Sequence, residues 1–177
     1  MALKKITNTN GFQHQVNAIL AAKCRIYIAE GEFGDDDIPS DLEALAALYG
    51  SSGDFLPFGD MDNTGSNISW TEKTYEIDFS TVGLGYEVQG NFVSVTITDE
   101  MLDFCGDLGR KVYSFLFVPD QAKDIFFALS GVVVTSEGSL SVVEGDTPSK
   151  ITFRATRKCN KITDAVKYKK LSIGTGS

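Results

Sequence analysis

The sequence predicts a mainly β fold, an antiparallel β-sandwich or barrel with one or two short flanking α-helices and extended N- and C-terminal arms. Three observations carry this. Two segments alternate with period two: Phe92 to Thr98 places Val93, Val95 and Ile97 on one face and Ser94, Thr96 and Thr98 on the other, and Ile151 to Thr156 places Ile151, Phe153 and Ala155 opposite Thr152, Arg154 and Thr156. A third segment, Lys111 to Val118, is apolar on both faces, as in a strand covered on both sides. Helical periodicity is confined to short runs after Ser40 and Asp99. The length of 177 residues suits one domain spanning the whole chain.

Taken in order, Met1 to Asn10 is polar and without period, and is expected as an N-terminal arm. Gly11 to Leu20 is weakly patterned. It holds His14, the only histidine, which lacks a second histidine for catalysis or metal binding. Lys23 to Ala29 is a strand with Cys24, Ile26 and Ile28 on one face and Lys23, Arg25 and Tyr27 on the other. Glu30 to Pro39 is an acidic loop. Ser40 and Glu43 have the spacing of a capping box, opening a helix with the stripe Leu42, Leu45, Ala46 and Tyr49 and an end at Gly50. Asp54 to Asn67 is rich in turn residues.

The centre of the chain is a hairpin. Ile68 to Phe79 is a strand whose apolar residues change phase: Ile68 and Trp70 are even-numbered, Tyr75, Ile77 and Phe79 odd. A bulge near Glu72 to Thr74 would absorb the change; the alternative is partial cover on both faces. Ser80 to Asn91, with its glycines, is expected as a long excursion before the strand from Phe92. Asp99 is expected to cap a short helix with Met101, Leu102 and Cys105 on its apolar side and Gly106 as its stop. After Lys111 to Val118, Asp124 to Leu129 and Val132 to Thr135 are apolar runs. Glu137-Gly138 is expected as a tight turn into Ser139 to Val143, and Glu144 to Ser149 as another turn. Beyond Lys158 a C-terminal arm is expected, in which Val166 and Tyr168 add an edge strand blunted by Lys167, Lys169 and Lys170.

Charge limits the functions. With 24 acidic against 16 basic residues, the net charge of −8 argues against nucleic-acid binding over the whole surface. No apolar run reaches the ~18 residues of a membrane span. The first residues lack the apolar core of a secretory signal, so folding in a cytoplasm is expected. Cys24, Cys105 and Cys159 are odd in number and widely spaced, as expected of reduced thiols rather than a zinc site. Asp60 to Gly65 opens like a calcium loop, yet the twelfth position is Thr71 and the acid, Glu72, is one place late. It is taken as a solvated turn, as is Asp35-Asp36-Asp37. Gly83-Leu84-Gly85 lacks the Lys-Ser/Thr pair of a phosphate loop. No nucleophile–base set is apparent, so no enzyme, cofactor or metal is expected. Charge is also segregated: Glu30 to Asp62 contains no Lys or Arg, and Lys150 to Lys170 contains Asp164 as its only acid. Two readings stand, edge protection and pairing of one copy's basic segment with another's acidic loops.

The layout resembles the major tail tube proteins of long-tailed bacteriophages. The matching parts are the N-terminal arm, the strand Arg25 to Ala29, the loop and short helix, Phe55 to Gly59 leading into Ile68 to Glu72, the Ser80 to Asn91 excursion, the step from Thr96 to Leu102, and the closing Ile151 to Thr156. The lysine-rich segment after Thr156 departs from that layout. The resemblance implies a non-enzymatic virion protein of the tail, made in the host bacterial cytoplasm and assembled as hexameric rings stacked into a tube, a fold shared with type VI secretion tubes. It implies as partners other copies of the chain, the tape measure, tail terminator and baseplate or initiator proteins, and genomic DNA passing through an acidic lumen without specific binding. The expected contacts between subunits or rings are Gly83, Leu84, Gly85, Tyr86, Glu87 and Val88 in the excursion and Lys167, Lys169 and Lys170 in the tail. The expected lumen-facing residues are Glu72, Ser94 and Thr96. The alternative is a monomeric or low-oligomer β-sandwich binding module, such as a capsid decoration protein.

Overall fold

The computed structural model describes Leu3 and residues 24–58, 67–94, 97–119, 124–142 and 149–172. The expected N-terminal arm other than Leu3, the His14 segment, the Asp60 to Gly65 loop, Val95, Thr96 and the last five residues lie outside them. Among these residues eight strands, all antiparallel, form one open sheet: β1 Cys24–Glu30, β2 Leu56–Pro57, β3 Asn67–Ile77, β4 Ser80–Ser94, β5 Val112–Pro119, β6 Ile125–Ser139, β7 Lys150–Cys159 and β8 Val166–Lys170. The order is β2-β1-β5-β6-β7-β4-β3, with β8 pairing β6 off this path. The helices are α1 Leu42–Tyr49, α2 Asp99–Asp107 and α3 Ile162–Ala165. The mainly β, antiparallel expectation is met, with three short α-helices among the described residues.

Two apolar clusters flank the sheet, because β1 and β5 alternate between them. Ile26, Ile28, Tyr113, Phe115 and Phe117 join Phe58, Phe92, Phe104 and Phe153 in one cluster. Tyr27, Ala29, Leu116 and Val118 join Phe33, Leu45, Phe55 and Phe126 in the other. The first is bound by edge-to-face rings, with Phe58 meeting Phe104, Phe115 and Phe153 at centroid distances of 5.9, 5.3 and 4.9 Å. The two-sided burial of Lys111 to Val118 is thus as expected, as is the inward set Ile151, Phe153 and Ala155 of β7.

Several local expectations need correction. Asp41, not Ser40, caps α1, accepting the Ala44 N–H at 2.9 Å, while the Ser40 hydroxyl donates to Asp41. Those bonds hold the Asp41 carboxyl below its usual range, the Ala44 amide contributing most. Within α1 only Leu45 is buried, and Ala46 is exposed. Thr98, not Asp99, caps α2, accepting the Met101 N–H at 3.2 Å. The buried face of α2 is Met101 and Phe104, with Leu102 outside, and the helix passes Gly106 into a 3-10 turn at Leu108–Arg110. Glu137-Gly138 is not a turn: it lies within β6, opposite Thr152 and Ile151 of β7. The segment after Lys158 forms the expected strand at Val166 and Tyr168 but is not a free arm. It ends β7, turns through α3 and returns as β8 along β6.

β6 can serve two partners because it bends at Gly131. Ser130 and Gly131 together oppose Ser114 of β5, a bulge with Gly131 at φ +66°. Above the bulge β6 pairs with β7; below it, with β8. The acidic loop is fastened at this fork. Ser130 Oγ accepts the Phe33 N–H at 2.8 Å and donates to the Phe33 carbonyl at 2.7 Å, and Ser114 Oγ donates to the Gly31 carbonyl at 2.8 Å.

Candidate functional site

The central hairpin is a continuous ribbon, which overturns the expected excursion. Strand β4 begins at Ser80, directly after a two-residue turn at Asp78 and Phe79, whose φ values are 42° and 72°. Two left-handed residues in a row match the twist of the flanking strands. The side chains there, Asp and Phe, lack the Asn-Gly signature of such turns, so the sequence concealed it. Strand β3, with 11 residues, is ~36 Å long. Strand β7 pairs with β4 only from Tyr86 to Ser94. Among the described residues, Ser80 to Gly85 therefore has β3 as its only strand partner, and β3 has only β4.

The register irregularity falls between Lys73 and Thr74, as anticipated, but the extra residue is on the other strand. Lys73 pairs with Gly85 and Thr74 with Gly83, leaving Leu84 as the bulged residue. Gly85 has φ +104°, and a Cβ there would lie 2.6 Å from the Cys159 carbonyl oxygen, so the bend needs glycine. Because β3 gains no residue, its alternation runs through unbroken. Ile68 and Trp70 pair with Gly90 and Val88, on the face that continues into the buried Phe92 and Ser94. Tyr75 and Ile77 pair with Val82 and Ser80 on the opposite face. The phase change in the sequence is a real change of side: the distal ribbon turns its apolar residues away from the face that its own base buries.

That apolar surface is solvated. Tyr75, Ile77 and Leu84 are 58%, 51% and 65% exposed, Phe79 is fully exposed and Val82 is about half exposed; Trp70, on the opposite face, is also about half exposed. An isolated two-stranded ribbon is marginal in water, and clustered exposed apolar residues mark an interaction surface.

The expected site residues divide. Gly83, Leu84, Gly85, Tyr86 and Glu87 lie at or beside the bulge and are exposed or half-buried. Val88 is fully buried in the first cluster and contacts no partner from there. Lys169 and Lys170 are exposed, whereas Lys167 is buried, its ammonium 2.7 Å from Asp35. Glu72 is exposed, but it shares the core-side face of the hairpin with Ser94, which is fully buried, so neither lies on the solvated sheet face; Thr96 is outside the described residues. That solvated face is a polar row across four strands: Thr135 of β6, Arg154 of β7, Asn91 of β4 and Asn67 of β3 stand side by side. The residues missed were Tyr75, Ile77, Phe79 and Val82, whose signal was their phase relative to Trp70.

Part of the segregated charge is paired within the chain. The acidic loop and the basic C-terminal segment meet within one chain: Arg157 bonds Glu32 at 2.7 Å and Lys167 bonds Asp35 at 2.7 Å. The Arg157 guanidinium also donates to the Ser130 carbonyl at 2.9 Å. At the ribbon's base, the Gln89 amide donates to Glu87 at 2.6 Å and Lys73 stands 3.5 Å from it. The Gln89 bond and then the Lys73 charge hold the Glu87 carboxyl below its usual range. Cys105 and Cys159 are free thiols, and burial pushes both up, away from the thiolate form. Among the described residues no cluster of potential ligands could hold a metal ion, and no helix is long and apolar enough to cross a membrane. Compared with known proteins, the chain matches no family model and no curated sequence.

Proposed function

We propose that the chain is a structural, non-enzymatic subunit that self-assembles into stacked rings, forming a tube of the bacteriophage tail kind through which DNA passes into the host. The observation that carries this is the distal ribbon, Thr74 to Leu84, an apolar-faced two-stranded arm that no other described strand flanks and whose apolar side chains are exposed. Such an arm gains stability only when a partner buries it. Strand β3, at the end of an open sheet, offers an edge for strand pairing to a neighbour, and ring closure removes such edges. The polar face through Thr135, Arg154, Asn91 and Asn67 is the one suited to line the bore, in place of Glu72 and Ser94. The net charge of −8 suits a conduit in which DNA slides without adhering. Tape measure, terminator and baseplate or initiator proteins would complete the tail in the virion.

A second reading, a monomeric or low-oligomer decoration module, draws on the Arg157–Glu32 and Lys167–Asp35 pairs, which spend part of the segregated charge within one chain. Negative-stain electron microscopy of concentrated protein at moderate salt separates the two. Rings or tubes with a central hole support assembly. Uniform small particles, unchanged by concentration or salt, support the module.

A further inference from the structure

The distal ribbon has a polarity that narrows what covers it. Its apolar face, Tyr75, Ile77 and Val82, is opposite the face that the base of the same hairpin buries, so the chain's own first cluster is not its seat. From Thr74 to Leu84 it carries Glu76 and Asp78 and no cation. Elsewhere on the chain, β8 has the complementary character. Val166 to Lys170 contains three lysines and no acid. Lys167 is turned inward to Asp35, but Lys169 and Lys170 are exposed, and between these ends Tyr168 is 64% exposed. Tyr168 and Lys170 alternate on one face of β8, opposite Phe127 and Ile125 of β6. Asp124 stands 3.8 Å from the largely exposed Lys170.

We propose that the ribbon of one copy seats its apolar face on the Tyr168 patch of a second copy. The proposal rests on the self-assembly reading above and names where the arm lands. Tyr75, Ile77 and Phe79 supply the apolar contact with Tyr168. Asp78 at the turn and Glu76 on the reverse face lie within a Debye length, ~8 Å, of Lys169 and Lys170, which orients the approach and makes it weaken with salt. Arm and seat are different surfaces of one chain, so the contact is heterologous and propagates from copy to copy. The lysines that blunt the β8 edge thus also select the partner.

The test mixes two full-length variants, Ile77→Cys and Tyr168→Cys, under mild oxidation and maps the disulfides by mass spectrometry. The expected result is a 77–168 link in the mixture, at least about tenfold above links between identical variants, because docking raises the local concentration of that pair alone. A charge series keeps the test independent of cysteine chemistry. Glu76→Lys and the pair Lys169→Glu with Lys170→Glu should each weaken self-association roughly 10-fold, and combining them should restore it. Assembly with no 77–168 link and no response to the charge changes overturns this seat and leaves the self-assembly reading standing. Wild-type protein that stays monomeric at every concentration and salt overturns both.

Discussion

Gly131 is the position at which a single methyl group should reveal how the sheet forks. Alanine there meets two obstacles. The backbone at φ +66° is left-handed, which costs an L-residue ~1 kcal/mol. The new Cβ would also lie 2.3 Å from an Arg157 guanidinium nitrogen and 3.3 Å from the Glu32 carboxyl carbon. The guanidinium is the end of a flexible side chain, so the clash is relieved by movement. Moving it breaks the 2.9 Å bond to the buried Ser130 carbonyl and the 2.7 Å bond to the half-exposed Glu32, together worth about 2 kcal/mol. The total expected for Gly131→Ala is about 3 kcal/mol, read as a lower denaturation midpoint with an unchanged slope. Arg157→Ala alone should cost about 2 kcal/mol. The double variant should then cost about the same as Gly131→Ala, because the second change removes a group already displaced. A cost under about 0.5 kcal/mol for Gly131→Ala, or strict additivity in the double variant, would refute this account of the fork.

Three further outcomes follow from the packing. Burial pushes the Tyr113 hydroxyl up to about 12, with Glu30 and Asp107 adding to the effect. Its folded pKa lies above the unfolded one, so its contribution is complete below pH ~10 and disappears as pH rises toward 12. The stability of Tyr113→Phe should therefore fall less steeply over that window than that of wild type; parallel curves in an alkaline denaturation series would count against it. Asp35→Asn should destabilise more than Lys167→Met, because it leaves the buried ammonium without its counter-charge while methionine fills the same space; the order of thermal midpoints decides this. Thr98→Ala removes the α2 cap and should cost about 1 kcal/mol by chemical denaturation, whereas Asp99→Ala should cost less.

Much of the sheet was legible because burial on one face writes period two into the chain. Ile151 to Thr156 announced β7, and Lys111 to Val118 announced a strand covered on both sides. Legibility failed where glycine carried two meanings. Gly83 and Gly85 suggested a loop, yet they sit at a bulge inside a ladder, and Gly138 suggested a turn inside a paired strand. The strand at Val166 and Tyr168 was legible, but a long-range pairing such as β6 with β8 leaves no local trace, so its partner was not. The cap positions slipped by one because Ser40-Asp41 and Thr98-Asp99 each offer two competent residues, and the sequence does not say which adopts extended backbone. The candidate surface was half visible. The phase break between Trp70 and Tyr75 was in the sequence, but its meaning depended on which strand held the extra residue.

The central claim is that the exposed ribbon exists to be buried by another copy. Sedimentation velocity across a concentration series tests it directly, comparing wild type with the triple variant Tyr75→Ser, Ile77→Ser and Phe79→Ser. All three positions lie outside both core clusters, so the variant should keep the native circular dichroism. Wild type should shift from the 19.2 kDa monomer to large species as concentration rises, while the variant stays at the monomer. Wild type that remains monomeric throughout, or a variant that assembles as readily, would contradict the claim.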